Sequence, residues 1–167
     1  MATTIEGVIR EFVALNECYV AGALPVSLLE RWGDLVEVVD GAMACWQAER
    51  HGLEGRRRRT RAGLRLPVRF SAASAVGMGQ TLDLSSGGCA VEARCPLPPG
   101  AEIQLSVRLP KGLGTLRPVG QIRWTAPTAK SGVWQAGVAF APLAEWEREV
   151  LASCILGVVA EAYVPTP

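Results

Sequence analysis

The amino-acid sequence predicts an α+β protein: an α-helical module, then a small antiparallel β-barrel or sandwich, closed by one more helix. Three observations carry that reading. Apolar residues recur at helical spacing over residues 4–50, the period switches to two from residue 64, and an amphipathic helical pattern returns over 142–160.

Residues 4–20 place Ile5, Val8, Ile9, Phe12, Val13 and Leu15 near helical spacing, with Glu6, Arg10, Glu11 and Glu17 mostly on the other side. Gly22 and Pro25 interrupt the pattern. It resumes over 27–50 through Leu28, Leu29, Trp32, Leu35, Val36, Val39, Met43 and Trp46. Gly33 and Gly41 weaken that stretch by roughly 1 kcal/mol each relative to alanine, so it reads as one bent helix or two short ones. No strand alternation intervenes, and residues 1–52 are expected to form a module of two or three helices.

After an arginine-rich hinge at 53–61, residues 62–167 are expected to form the β-domain with its closing helix. Leu64, Leu66, Val68 and Phe70 point one way, and Arg65, Pro67 and Arg69 the other. Further short strands are expected at 79–84, 89–92, 103–109, 119–124 and 135–140, separated by the turn-rich stretches PLPPGA, PKGLG and APTAKSG. In the last helix Leu143, Trp146, Val150, Leu151, Cys154, Ile155 and Val158 are expected to face the barrel. Glu145, Glu147, Arg148 and Glu149 face water.

The formal charge of +1 hides a strong asymmetry. Residues 1–55 carry three Lys/Arg against nine Asp/Glu, residues 56–70 carry seven Arg and no acid, and residues 71–167 carry seven of each sign. One local basic cluster on a neutral-to-acidic body argues against a broad nucleic-acid-binding face. The five cysteines are scattered without metal-ligand spacing, and His51 is the only histidine. That composition suits reduced thiols in a cytosolic protein and no metal site. The most apolar stretch, 150–164, is too short to span a bilayer, and the N-terminus lacks the pattern of a signal peptide. A soluble cytoplasmic protein without membrane insertion is expected.

Two stretches carry chemistry. The first is RRRRTRAGLRLPVRF, residues 56–70. Arginine offers a rigid donor fork that matches phosphate oxygens and equally the O6/N7 edge of guanine. Seven like charges repel one another, so the arm at 56–61 is expected to move until an anion fixes it. The second stretch is TLDLSSGGCAVEA, residues 81–93. Asp83 and Ser85 lie two apart and share a face of an extended strand, while Gly87 and Gly88 permit a tight turn whose N–H groups can face an anion. Asp83 can accept from the N1–H and N2–H₂ donors of guanine, and a carboxylate repels phosphate, so its presence favours base recognition. Either stretch alone also fits a bland reading: a solvated linker for the arginines, an ordinary hairpin for Asp-x-Ser-x-x-Gly.

Together, in this order and spacing, they resemble the PilZ domains, receptors for the bacterial second messenger cyclic di-GMP. That family carries an RxxxR motif followed some twenty residues later by [D/N]xSxxG. Arg57 to Arg61 supplies the first and Asp83 to Gly88 the second, a step of 22 residues from Arg61 to Asp83. Arg61 to Arg65 is a competing register, but Arg65 belongs to the alternating stretch. GQIRW and GVAFAPLAEWEREVL are similar to the family's later strands and closing helix, so the resemblance covers roughly residues 54–156. It implies a six-stranded β-barrel that binds cyclic di-GMP on its outer surface. The ligand-binding set it implies is Arg57, Arg61, Asp83, Ser85 and Gly88, extended by Arg56, Arg58 and Gly87. Trp124, at the end of GQIRW, reads either as a stacking platform for a base or as an ordinary packing residue of the barrel.

An enzyme is set aside because one histidine supports no Ser-His-Asp or Cys-His arrangement, Asp83 has no partner carboxylate, and no GK[ST] phosphate loop is present. Two alternatives to a cyclic di-GMP receptor remain: a PilZ-like adaptor that works through protein contacts alone, and a nucleic-acid-binding protein using the arginine tract. Residues 1–52 read equally as a packing accessory or as the surface for a protein partner.

Overall fold

The computed structural model describes residues 4–52 and 59–163. The chain divides into two compact units, one made of Met1–Ala62 with Glu149–Pro167, the other of Gly63–Arg148.

The first unit holds α1 (Ile5–Val20), a short 3₁₀ turn (Val26–Leu28), α2 (Leu29–Arg50), the two-residue strand β1 (Arg61–Ala62) and most of α3 (Glu145–Tyr163). Thr4 starts α1 as an N-cap, its hydroxyl accepting from the Gly7 N–H at 3.2 Å, with Glu6 in the positively polarised first turn. α2 runs unbroken through Gly33 and Gly41 because Trp32, Leu35, Val39 and Met43 are all buried, and packing outweighs local propensity. Asn16, only 5% exposed, joins the three helices. Its Nδ2 donates to the Ser153 carbonyl at 3.1 Å, and its Oδ1 accepts from Trp32 Nε1 at 3.3 Å. Tyr19 stacks on Trp32 with ring centroids 4.1 Å apart, and Trp46 meets Tyr163 edge-on at 5.3 Å.

From Glu149 onward α3 belongs with these helices, whereas its period alone suggests a helix laid on the barrel. Ser153, Leu156, Val159 and Ala160 are buried along with Leu151, Cys154 and Ile155, so the helix has no single apolar face to read. Trp146 and Val158, expected to pack, are 57% and 37% exposed. Among the described residues, no helix is long and apolar enough to cross a membrane.

The second unit is an antiparallel barrel of six long strands. These are β2 (Pro67–Ala72), β3 (Ala75–Ser85), β4 (Gly88–Ala93), β5 (Glu102–Arg108), β7 (Val119–Pro127) and β8 (Trp134–Phe140), with the two-residue β6 (Thr115–Leu116) beside β5. The order is β3-β2-β5-β7-β8-β4, and pairing of β3 with β4 closes the ring. Val68, Phe70, Leu84, Ile103, Ile122 and Val138 are among the residues that fill its interior. The first long strand begins at Pro67 rather than residue 64. Thr81 meets the approach: its hydroxyl donates to the Leu64 carbonyl and accepts from the Leu66 N–H at 2.9 Å, and its own N–H donates to the Leu66 carbonyl at 2.9 Å, so one side chain and a single backbone bond hold residues 64–66 in place of a full ladder. Proline suits the first position of a strand, where no ladder donor is needed.

Candidate functional site

Asp83, Ser85, Gly87 and Gly88 lie on one hairpin, where β3 turns into β4 through Ser86 and Gly87. The register shifts between Thr81 and Asp83, a bulge that puts Asp83 opposite Ala90. Asp83 Oδ1 accepts from the Ala90 N–H at 3.1 Å. Ser85 is 4% exposed and locks the turn, donating to the Gly88 carbonyl at 3.1 Å and accepting from the Gly87 N–H at 3.4 Å. Gly88 opens β4, and a Cβ there would stand 2.2 Å from the Val138 carbonyl oxygen, so close approach of β8 demands glycine. The Asp-x-Ser-x-x-Gly pattern therefore has a folding role in this hairpin.

The pairing register shows what else the hairpin joins. Asp83 pairs with Ala90, Ala90 with Gly137, and Gly137 with Trp124, one continuous row across β3, β4, β8 and β7. Directly paired residues point to the same face. The neighbouring row, Leu84, Cys89, Val138 and Ile122, is at most 4% exposed and faces the interior. The Asp83 row is therefore on the barrel's outer face. The next outer row is Ser85, Gly88, Ala139 and Gln121. Small residues occupy the middle of both rows, and the first row has a carboxylate at one end and an indole at the other, about 14 Å apart along the surface.

Trp124 is 45% exposed, and its indole lies over Gly137: a Cβ on that glycine would be 2.0 Å from Trp124 Nε1. The ring thus lies against the outer surface with part of it open to solvent, a geometry suited to stacking. Sequence reasoning missed Ala90 and Gly137 as parts of this surface. Neither residue type signals a site, and only the strand register, bulges included, places them between Asp83 and Trp124.

Arg56, Arg57 and Arg58 lie outside the described residues. Arg61 is described, exposed and anchored by its backbone. Its N–H donates to Gln47 Oε1 at 2.9 Å, and its carbonyl accepts from Gln47 Nε2 at 2.6 Å. Thr60, 1% exposed, donates its N–H to Asp40 Oδ1 and its hydroxyl to the Asp40 carbonyl, both at 3.0 Å. Asp40 and Gln47 are seven apart on α2, two turns along one face. Thr60 and Arg61 are thus held to that helix, against the expectation of an arm mobile through residue 61. Among the described residues, no cluster of His, Cys, Asp and Glu that could hold a metal ion is found.

A PilZ domain profile matches residues 55–157, well over half of the chain. The chain belongs to the PilZ family. Solved PilZ structures share its fold. The PilZ domain of YcgR from Escherichia coli, solved with c-di-GMP, is 17% identical, with a TM-score of 0.53 over 64% of this chain and 94% of that one. Longer YcgR from E. coli in complex with c-di-GMP is 19% identical, with a TM-score of 0.55 over 65% of this chain and 48% of that one. The Bacillus subtilis inhibitor of motility MotI/DgrA is 22% identical, with a TM-score of 0.51 over 60% and 49%. The chain spans about half the length of this last protein and of K. pneumonia MrkH. No curated protein matches the sequence.

Proposed function

We propose that this PilZ protein is a non-catalytic cyclic di-GMP receptor, with Asp83 and Trp124 meeting the nucleotide on the barrel and the arginine tract supplying its phosphate and guanine donors. One observation carries the reading: the outer-face row Asp83–Ala90–Gly137–Trp124, which gives a base-pairing carboxylate, a floor without bulky side chains and an exposed ring in one line. The RxxxR arginines Arg57 and Arg61, flanked by Arg56 and Arg58, precede it in the order the family uses. Ser85, Gly87 and Gly88 act by shaping the hairpin that presents Asp83. Stacking a base on Trp124 contributes about 1–3 kcal/mol.

Because Gln47 and Asp40 hold Thr60 and Arg61, a nucleotide that engages Arg61 acts directly on α2. Ordering of a charged segment by charge-assisted bonds is a known switching mode. The helical unit is then the output element, with residues 1–52 the surface offered to a protein partner. Calorimetric titration of the full chain with cyclic di-GMP tests the reading. Saturable binding that disappears in Arg61→Ala and in Asp83→Ala, with the circular dichroism spectrum retained, is the expected result. Wild-type affinity in both variants refutes the site. Absence of any saturable heat favours an adaptor that binds no nucleotide, and tighter binding of duplex DNA at physiological salt favours a nucleic-acid ligand.

A further inference from the structure

Beside the Asp83 row, the barrel carries an open groove of about 430 Å³, a volume typical of small-ligand sites. Its cations come from three separate segments: Arg65 ahead of β2, Arg94 just after β4, and Lys130 in the turn between β7 and β8. Pro67, Met78 and Val133 supply apolar lining, and Glu92 is the groove's one carboxylate. Glu92 is already engaged, accepting from Gln80 Nε2 at 3.2 Å. The three exposed cations make no ion pair with any described residue. Three like charges facing one cavity repel one another, and packing of the fold does not require them there.

The groove is continuous with the proposed nucleotide surface. Gln80 pairs with Glu92, forming the outer row next to Asp83 and Ala90, about 7 Å away along the strands. We infer that the groove is an anion subsite of the same surface, in which Arg65, Arg94 and Lys130 hold a phosphate of the nucleotide whose base meets Asp83. Arginine forks fit phosphate oxygens in pairs, and lysine adds a point charge. The Gln80 to Glu92 hydrogen bond turns the one local carboxylate toward a neutral amide, which reduces its repulsion of the incoming anion. The inference rests on the proposed cyclic di-GMP reading but names residues outside both family motifs.

The test is calorimetry on the full chain at two salt concentrations, comparing wild type with the Arg94→Ala/Lys130→Ala double variant and with Arg65→Ala. All three side chains are exposed, so the variants should melt like wild type. Cyclic di-GMP binding about tenfold weaker or more in the double variant, with a shallower salt dependence, is expected. Unchanged affinity and salt dependence in both variants, while wild type binds, overturns the groove assignment and leaves the receptor reading standing. Failure of wild type itself to bind cyclic di-GMP overturns both.

Discussion

A methyl group on Gly137 would stand 2.0 Å from Trp124 Nε1, so Gly137→Ala must push the indole off the outer face. Affinity for cyclic di-GMP should fall by roughly tenfold in that variant and by a similar factor in Trp124→Ala, since each removes one base-stacking surface worth about 1–3 kcal/mol. Calorimetry on the two variants checks this, and a tryptophan that only packs the barrel would leave affinity untouched. Asn16 is the corresponding position in the helical unit. Asn16→Leu strands the Trp32 indole N–H in a buried setting and removes the extra bond to the Ser153 carbonyl, which keeps its place in the α3 helix. A loss of about 1–3 kcal/mol in chemical denaturation is expected, the usual penalty for leaving buried polar groups unpaired.

Among the elements, α2 connects the arginine tract to the helices. Gln47 pairs with the Arg61 backbone as a neighbouring strand would, while Asp40 accepts from the Thr60 N–H through its carboxylate and from the Thr60 hydroxyl through its backbone carbonyl. Gln47→Ala should speed amide hydrogen exchange at Arg61 while leaving the barrel strands protected, because only a local bond is lost. Equal exchange in the two proteins would show that Gln47 is not the anchor. The α1–α2 pair has a second tie: Arg31 Nε and Nη2 bond Glu11 Oε1 and Oε2 at 2.8 and 2.7 Å. That bidentate guanidinium holds the Glu11 carboxyl below its ordinary range. A depressed carboxyl stabilises the fold above its unfolded pKa, and the contribution fades as pH falls through the folded value. Wild type should therefore lose stability relative to Glu11→Gln on acidification from neutral pH, by a small amount at this exposed position. Thermal melts of both proteins across that range give the comparison.

Across the whole molecule, period and punctuation make the α+β class, the positions of the six long strands and the helical regions legible, because the switch from helical to alternating spacing is marked and Gly/Pro-rich turns separate the strands. Element ends are less legible. Thr81, on the neighbouring strand, hydrogen-bonds residues 64 and 66 ahead of a first strand that begins at Pro67, a tertiary arrangement with no local signal. The grouping of α3 with the N-terminal helices is equally hidden, since a helix buried on several sides does not announce its neighbours. In the candidate site, Asp83 and Ser85 stand out by residue type, but their partners Ala90 and Gly137 follow only from register and two bulges. The proposed function requires one nucleotide to engage the outer-face row and the end of the arginine tract together. An amide and indole NMR titration of the full chain with cyclic di-GMP tests it most directly. Ala90, Gly137, the Trp124 indole and Arg61 should shift in step and saturate at one ligand concentration. Shifts confined to either the row or the tract, or none at all, would contradict it.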